Sequence, residues 1–519
     1  MKRMRAAIFA ALLIWTGTGP GWAEDVTLTS RDGSVEISGD LLSYDGEFYR
    51  VETVYGVLTV DGSGVLCDGP GCPDIASFVA EFTVSGSRTM GEVLMPALVE
   101  SFAARSGYSM LRTVTDDTHF EYALAESGSE HLAARIGFRV TSTSEGFADL
   151  LANEADLVLA IRPATAPEAT LAKEAGLGDL NDPRRSRIVA LDAIVPITAP
   201  ENSLTDLSIE TLAQIFSGQI SNWSELDGPD APITLHLRGE LSGLAQEFRV
   251  RVLDGFDLSL APGVQLHDSN ANLADAVSRD PLAIGITAFS ELGNARVVPL
   301  RGSCGMRSVA DEISIKSEDY PLTAPLFIYV PARRLPVLAR EFLAYVRSPS
   351  AQPVIDRAGF VDLRLQQNPV AGQGTRLANA IRSAGDETGL PELQRLVRRL
   401  DATERLSLGF RFRIGGSELD VQSQSNIDLL ARQLEAGTFD DRRLIFVGFT
   451  DGEGDASANL SLARRRAEAV RSAVLRAATT ADKSRFRLQL DAFGEAMPMA
   501  CDDTEWGRQV NRRVEVWVQ

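Results

Sequence analysis

Hydrophobic and polar positions divide the chain into regions with different periodicities. Over residues 24–78, short runs alternate apolar and polar side chains, and the runs are separated by Asp32-Gly33, Asp45-Gly46 and Asp61-Gly62. Period-two alternation between Asp-Gly turns is typical of β-hairpins. The pattern predicts a small β-rich module. Because it carries no chemical constellation, we expect an accessory or packing role.

Residues 80–365 alternate strand-like and helix-like segments. Continuous apolar runs at Leu157–Ile161 and Ala283–Ile286 are typical of buried parallel strands. Periodicity of 3.6 residues predicts helices over Pro96–Ser106, Glu210–Phe216 and Leu335–Val346. The alternation predicts α/β architecture, and the length of this region favours two lobes.

The last part of the chain begins with a polar segment. Residues 366–404 are interpreted as a linker followed by a helix, and residues 405–519 as a compact α+β domain. The elements predicted in this domain are strand 406–412, helix 421–434, strand 443–449, helix 459–477, strand 485–493 and strand 513–518.

The first 23 residues have the parts of a secretory signal peptide. Lys2, Arg3 and Arg5 precede an apolar run, and the small residues Gly21 and Ala23 offer a cleavage site. An apolar run of about 10 residues is too short to span a bilayer, which disfavours the alternative of a membrane anchor. We expect residues 1–23 to be removed and the mature protein to be exported.

Charge and composition exclude several classes of function. The 519 residues include 51 Lys and Arg against 71 Asp and Glu, a formal net charge of −20. Nonspecific binding to nucleic acid is therefore disfavoured, and no nucleic-acid partner is predicted. Four Cys and four His leave little material for metal sites, so no metal or cofactor is predicted. No histidine has a nucleophile-elbow context, and the protein is predicted not to be an enzyme.

Export changes the interpretation of the cysteines. Cys67 and Cys72 flank a turn-rich Asp-Gly-Pro-Gly segment, which in an oxidising compartment favours a small disulfide loop over a metal site. Cys304 and Cys501 are far apart in sequence. They either pair across two domains or remain buried thiols, and spacing does not decide between these alternatives.

Three polar loops in the middle region follow apolar strands. They are Ser85–Met90, Ser142–Gly146, and Arg238 with Ser242-Gly243. Small hydroxyl residues and Gly between a strand and a helix expose backbone N–H groups, and an Arg can close over an oxyanion. Each loop alone is more often structural, whereas the three in this order indicate an anion site.

These loops resemble those of the phosphate-binding periplasmic proteins of ABC transporters. The resemblance extends to Glu154–Leu157, Phe216–Trp223 and Tyr320–Leu322, and covers residues 80–365. It implies two α/β lobes of a type 2 periplasmic-binding-protein fold that close on phosphate or a related oxyanion. It also allows an ABC permease as partner. By motif position, the implied anion-binding residues are Ser87, Thr89, Ser144, Arg238, Ser242 and Gly243.

Two positions depart from the family pattern. Leu244 stands where the family usually has Thr, and Arg162 stands where its phosphate binders commonly place an Asp that accepts a proton from the ligand. Without the Asp carboxylate, a fully ionised oxyanion meets no repulsion from a negative charge at this position. The Arg guanidinium can also donate a hydrogen bond to the anion. Arg162 is therefore included among the expected anion-binding residues.

The C-terminal region carries charged residues at helical spacing. A strand ends in Gly448–Asp451, and Asn459 and Arg466 follow seven residues apart, on nearly the same face of a helix. An Asp facing an Arg across a pocket suits a zwitterion, since Asp binds an ammonium and Arg a carboxylate. The alternative is an ordinary salt bridge beside a charged helix.

The remaining motifs, Gly494-x-x-x-Pro498 and Asn511–Glu515, resemble the OmpA C-terminal peptidoglycan-binding family over residues 405–519. The resemblance implies that Asp451 and Arg466 hold the diaminopimelate of the peptide stem, with Thr450 and Asn459 beside them. Phe449, Ala463 and the acidic loop 453–458 depart from the usual pattern.

Together these patterns predict a periplasmic solute-binding protein tethered to peptidoglycan, associated with the cell wall or outer membrane. The fold class is multidomain: a small N-terminal β module, a two-lobed α/β domain and a C-terminal α+β domain. The alternative is a structural envelope protein whose middle domain is degenerate or binds a protein partner. A tethered binder diffuses poorly to a permease, so fusion to a wall-binding domain counts against ordinary transport.

Overall fold

The structure, a computed structural model, describes residues 25–129, 131–239, 242–383, 388–412 and 418–519. The predicted signal peptide lies outside the described residues. Contacts divide the described residues into one compact unit, which holds residues 25–80 and 335–338, and a second unit, which holds the described residues from 81 to 334 and from 339 to 519. Across the described ranges, no helix combines the length and apolar character needed to cross a membrane.

The first unit contains the predicted β-rich module. Its five strands form an antiparallel sheet in the order β4-β3-β2-β1-β5. They are β1 (Asp25–Ser30), β2 (Glu36–Tyr44), β3 (Phe48–Thr53), β4 (Gly56–Asp61) and β5 (Val65–Asp68). Alternate side chains of β1 and β3 form a small core. The predicted Cys67–Cys72 disulfide is present, with 5.8 Å between the Cα atoms, and it closes the loop after β5.

The middle region is a mixed α/β structure, as predicted. Its strands are β6 (Ala80–Ser87), β7 (Tyr108–Val114), β8 (His119–Glu126), β9 (Leu132–Thr141), β10 (Leu157–Ala160), β11 (Ser186–Thr198), β12 (Thr234–Arg238), β13 (Gln265–His267), β14 (Ala283–Ala288), β15 (Arg296–Val297), β16 (Leu300–Arg301), β17 (Arg307–Ser308) and β18 (Thr323–Tyr329). Its helices are α1 (Met95–Ser106), α2 (Thr143–Leu151), α3 (Ala166–Glu174), α4 (Ile209–Phe216), α5 (Gly243–Phe248), α6 (Asn270–Arg279), α7 (Glu312–Lys316), α8 (Val337–Val346) and α9 (Gln352–Arg357).

Two long strands hold this region together. The sheet order is β13-β12-β14-β11-β18-β10-β6-β9-β8-β7, with β15 also paired to β11. Neighbouring β11 and β18 are antiparallel, and strands from the two halves extend the sheet on either side of them. The prediction of parallel strands was half right. Each of β10 and β14 has one parallel and one antiparallel neighbour.

The C-terminal region has the elements that its periodicity predicted. Its strands are β19 (Gln367–Pro369), β20 (Glu404–Arg411), β21 (Arg443–Gly448), β22 (Arg487–Ala492) and β23 (Arg513–Val518). Its helices are α10 (Gly374–Arg382), α11 (Leu390–Leu400), α12 (Val421–Glu435), α13 (Ala456–Ala477) and α14 (Glu505–Asn511). The sheet order is β19-β20-β23-β21-β22. Residues 366–404 are not a free linker, because β19 pairs with β20 and α11 packs in the core beside β21.

A disulfide joins the middle and C-terminal regions. Cys304 and Cys501 are bonded, with 5.7 Å between their Cα atoms and 197 residues of separation. This decides a question that the sequence left open. The described residues contain no free cysteine.

A buried ionic network crosses the same interface. Arg405 on β20 donates to both oxygens of Asp319, which precedes β18, at 2.6 and 3.2 Å. Its Nε lies 3.4 Å from Glu515, which also accepts from Arg513 at 2.7 Å. Arg411 adds hydrogen bonds to the carbonyl oxygens of residues 317 and 318. The segment that leads into β18 is thus held by strand β20 of the C-terminal domain.

Candidate functional site

The three polar loops of the middle region meet at one place. A Cβ added to Gly146 in the first turn of α2 would lie 2.8 Å from the Cα of Gly86, at the end of β6. A Cβ added to Gly243 would lie 3.9 Å from the Oγ1 of Thr143, which begins α2. Glycine at 86 also has φ of +130°, a conformation that L side chains rarely adopt. Glycine at 86 and 146 therefore allows β6 and α2 to approach closely, and the contact of Gly243 places the start of α5 beside them.

A polar group at the end of β6 is left without a partner. The Ser87 side chain is 1% exposed, and its Oγ has no hydrogen-bond partner among the described residues. A buried hydroxyl without a partner costs free energy, and a ligand atom can remove that cost. Thr89 follows, half-buried, immediately before a π-helical turn at Met90–Leu94 that continues into α1.

Arg238 is held at the end of β12 by backbone carbonyls. Its Nε donates to the carbonyl oxygen of His267 at 3.2 Å, and its Nη2 to that of Asp268 at 2.6 Å. The residue is 4% exposed, and burial lowers the pKa of its guanidinium despite the opposing charges of Glu92 and Glu291. Ser242 is buried four residues further on and directly precedes α5. Its side chain makes no capping hydrogen bond to the first amides of this helix.

Arg162 differs from the other expected donors because carboxylates already bind it. Two of its nitrogens donate to the oxygens of Glu168 at 2.8 Å each, and its Nε lies 3.7 Å from Glu247. Its Nη2 also donates to the Oγ of Ser144 at 3.0 Å. The two carboxylates offset the positive charge of Arg162. Its hydrogen bond to Ser144 suits a residue that positions the Ser144 hydroxyl.

Sequence reasoning did not select the charged groups around Arg238. Arg88 pairs with Glu92 at 3.0 Å. Burial raises the pKa of Glu92, while the charges of Arg88 and Arg238 oppose that shift. Asn270 donates to Glu291 at 2.7 Å. Glu92 and Glu291 come from segments without an anion motif, so no local pattern identifies them.

Asp192 on β11 is a buried carboxyl that interacts electrostatically with Glu291. It accepts hydrogen bonds from Ser290 and from the amide of Ala193, and burial raises its pKa to about 6. The folded protein therefore retains a proton that the unfolded chain releases near its ordinary pKa of 3.8. Protonation of Asp192 therefore adds to the free energy of unfolding. This contribution is fully present below about pH 4 and is lost as the pH rises through about 6.

We expect the Asp192→Asn variant to lose this pH-dependent contribution, which is at most about 3 kcal/mol. The measurement is the free energy of unfolding at pH 4.5 and at pH 7 in urea. The matched control is Asp275→Asn, which changes an exposed residue. It should show the same difference in the free energy of unfolding between pH 4.5 and pH 7 as the wild type does. An Asp192→Asn variant with the wild-type difference between the two pH values would assign the effect to another group.

The predicted C-terminal site residues form a second cluster. Arg466 on α13 is 8% exposed, and its Nε and Nη1 have no hydrogen-bond partner among the described residues. Its guanidinium carbon lies 5.0 Å above the ring of Phe412. Burial lowers its pKa, against the opposing charge of Asp451. Thr450, whose buried Oγ1 also lacks a partner in the described ranges, stands beside Asp451.

Asn459 and Arg512 complete the cluster. Asn459 is buried in the first turn of α13, and its side chain donates to the carbonyl oxygen of Glu453 at 3.2 Å. Arg512 donates to Asp451 at 2.9 Å and also to Glu505. Arg512 is not among the site residues that the sequence analysis selected. The pairing with Asp451 depends on residues 61 positions apart, so local spacing could not identify it.

The α/β middle region and the C-terminal α+β region each match a known family. The family model described as PBP superfamily domain matches residues 77–350, which is more than half of the chain, and the OmpA family model matches residues 411–512. The chain belongs to the PBP superfamily and carries a C-terminal OmpA domain.

Its relatives include phosphate-binding proteins. It is 33% identical to the phosphate-binding protein PstS of Bacillus subtilis over 174 residues, or 33% of this chain and 56% of that protein. It is 24% identical to PstS of Borreliella burgdorferi over 185 residues, or 35% of this chain and 66% of that protein. A phosphate transport receptor structure from Vibrio cholerae aligns with 20% identity and a TM-score of 0.42, covering 54% of this chain and 99% of that one. The matched segments span only part of both PstS proteins.

Proposed function

We propose that this protein is a periplasmic receptor for phosphate or a related oxyanion, held to peptidoglycan by its OmpA domain. The observation that carries the first half is the close approach of the segments holding Gly86, Gly146 and Gly243, together with the buried Ser87 next to Gly86, whose hydroxyl has no hydrogen-bond partner among the described residues. The proposal accounts for the buried polar groups at this place, which a degenerate domain would not need to retain.

The donors proposed for the anion are Ser87, Thr89, Ser144, Arg238, Ser242 and the backbone of Gly243. Hydroxyl and amide donors together with one buried guanidinium favour a compact anion with several acceptor oxygens. Arg162 acts through Ser144 in this proposal, because its own charge is offset by Glu168 and Glu247. The names of the PstS relatives support phosphate as the first ligand to test.

The test is calorimetric titration of the full chain, freed of bound anion, with phosphate and then sulfate. We expect saturable binding, weakened about 30-fold or more by Arg238→Ala, because removing one partner of a buried charged contact costs about 2–5 kcal/mol. Arg279→Ala, on an exposed part of α6, is the matched control. No heat with either anion, or equal affinity in both variants, would contradict the proposed cleft.

The second half of the proposal concerns the cell wall. A buried Arg466 beside Asp451, with two nitrogens that have no partner within the described ranges, suits a ligand that brings both a carboxylate and an ammonium, as the stem peptide of peptidoglycan does. Asp451 already pairs with Arg512, so the ligand ammonium would share that carboxylate. An ABC permease as a further partner rests on the resemblance of the middle-region loops to those of the phosphate-binding proteins of ABC transporters.

A further inference from the structure

A cavity lies between the PBP domain and the OmpA domain, away from both clusters described above. It has a volume of about 270 Å³. One wall comes from β11 and the segments around residues 346–352 and 362–364, and the other comes from helix α12. No residue assigned to the anion cleft or to the wall-binding cluster lines it.

The lining carries more positive than negative charge. The basic residues are Arg187, Lys316, Arg347, Arg364 and Arg432, and the acidic ones are Asp362 and Asp428. Lys316 lies 2.8 Å from Asp362, and Arg364 also pairs with Asp362. The lining of the cavity is thus positively charged, whereas the whole chain has a net charge of −20.

Three of these arginines lack a carboxylate partner. Arg187 comes from β11, Arg347 follows α8, and Arg432 lies on α12. Within the described ranges, no Asp or Glu oxygen lies within ion-pair distance of any of the three. Burial and the charge of Arg347 lower the pKa of Arg187 and of Arg432, while the charges of Asp428 and Glu435 oppose the shift of Arg432.

Arg187 is half-buried, whereas Arg347 and Arg432 are exposed beside the cavity. Solvent screens part of the repulsion between these three like charges, and an anion in the cavity would offset the remainder. Guanidinium groups bind phosphate oxygens through paired hydrogen bonds. The remaining lining includes Ile188, Val346 and Leu429, which offer apolar contact to a carbon skeleton. The cavity is close in size to the smaller ligand pockets of proteins.

We propose that this interdomain cavity binds a small organic phosphate, with its phosphate on Arg187, Arg347 and Arg432 and its carbon skeleton against the apolar wall. The site is separate from the proposed oxyanion cleft. Because the ligand contacts both domains, its binding also stabilises their docking.

The test is calorimetric titration of the full chain with glucose 6-phosphate and with glycerol 3-phosphate, in saturating inorganic phosphate so that the cleft is occupied. We expect one site for at least one of the two probes, and no binding of glucose. Arg187→Ala and Arg432→Ala should each weaken binding about tenfold or more. Arg476→Ala, at the exposed end of α13, should bind as the wild type does.

A second arm separates this site from the cleft. Arg238→Ala should leave organic phosphate binding unchanged even though it weakens phosphate binding in the cleft. Arg347→Glu, which reverses an exposed charge, should abolish binding without unfolding the protein. Failure of both probes to bind, or equal affinity in the wild type, Arg187→Ala, Arg432→Ala and Arg347→Glu proteins, would overturn the proposal.

Discussion

The Arg405→Met variant is expected to lose about 3–5 kcal/mol of free energy of unfolding, the usual effect of removing one partner from a buried ion pair. Arg405 is 3% exposed and touches Asp319 and Glu515, which are themselves buried. Burial would raise the pKa of Glu515, but Arg376, Arg405 and Arg513 together hold it far below its usual range. Removing Arg405 leaves Asp319 without its closest cation.

Urea unfolding followed by tryptophan emission measures this effect, because Trp517 donates to Glu515 at 3.0 Å and so reports on the network. The exposed Arg485, which pairs with the half-buried Asp440, provides the control: Arg485→Met should cost no more than about 1 kcal/mol. An Arg405→Met variant as stable as the control would mean that solvent already screens the network.

The Arg466→Met variant is expected to lose retention by purified peptidoglycan while its stability is unchanged or increased. Two of its nitrogens lack partners among the described residues, so Arg466 adds little hydrogen bonding to the fold. Methionine keeps an apolar stem over Phe412 and removes a buried charge. A charged contact to a ligand carboxylate contributes about 2–5 kcal/mol, so binding should fall roughly 30-fold or more.

Cosedimentation with peptidoglycan sacculi, paired with thermal unfolding, separates binding from stability. Arg465→Met changes the neighbouring exposed residue of the same helix and should sediment as the wild type does. Asp451→Asn should reduce retention as well, but it also removes one of the two carboxylates that pair with Arg512, so its stability is less informative. Full retention of Arg466→Met would remove this residue from the proposed wall-binding site.

The order and type of most elements follow from the sequence, because hydrophobic periodicity is local. Helices α12 and α13 and strands β21 and β23 fall where the pattern of apolar positions places them. The two families were also recognisable from short motifs, since a loop that presents amides or charges needs particular residues at fixed spacing. The Cys67–Cys72 disulfide was also predictable from local sequence, because only four residues separate the two cysteines.

Tertiary structure alone decided which distant residues meet. It paired Cys304 with Cys501, Arg512 with Asp451 and Arg405 with Asp319. It also offset the charge of Arg162 with Glu168 and Glu247, and gave β10 and β14 antiparallel as well as parallel neighbours. A single sequence does not carry these facts, because contacts across tens to hundreds of residues depend on how whole elements pack. The charge that a buried Arg presents to a ligand depends on which carboxylates that packing brings to it.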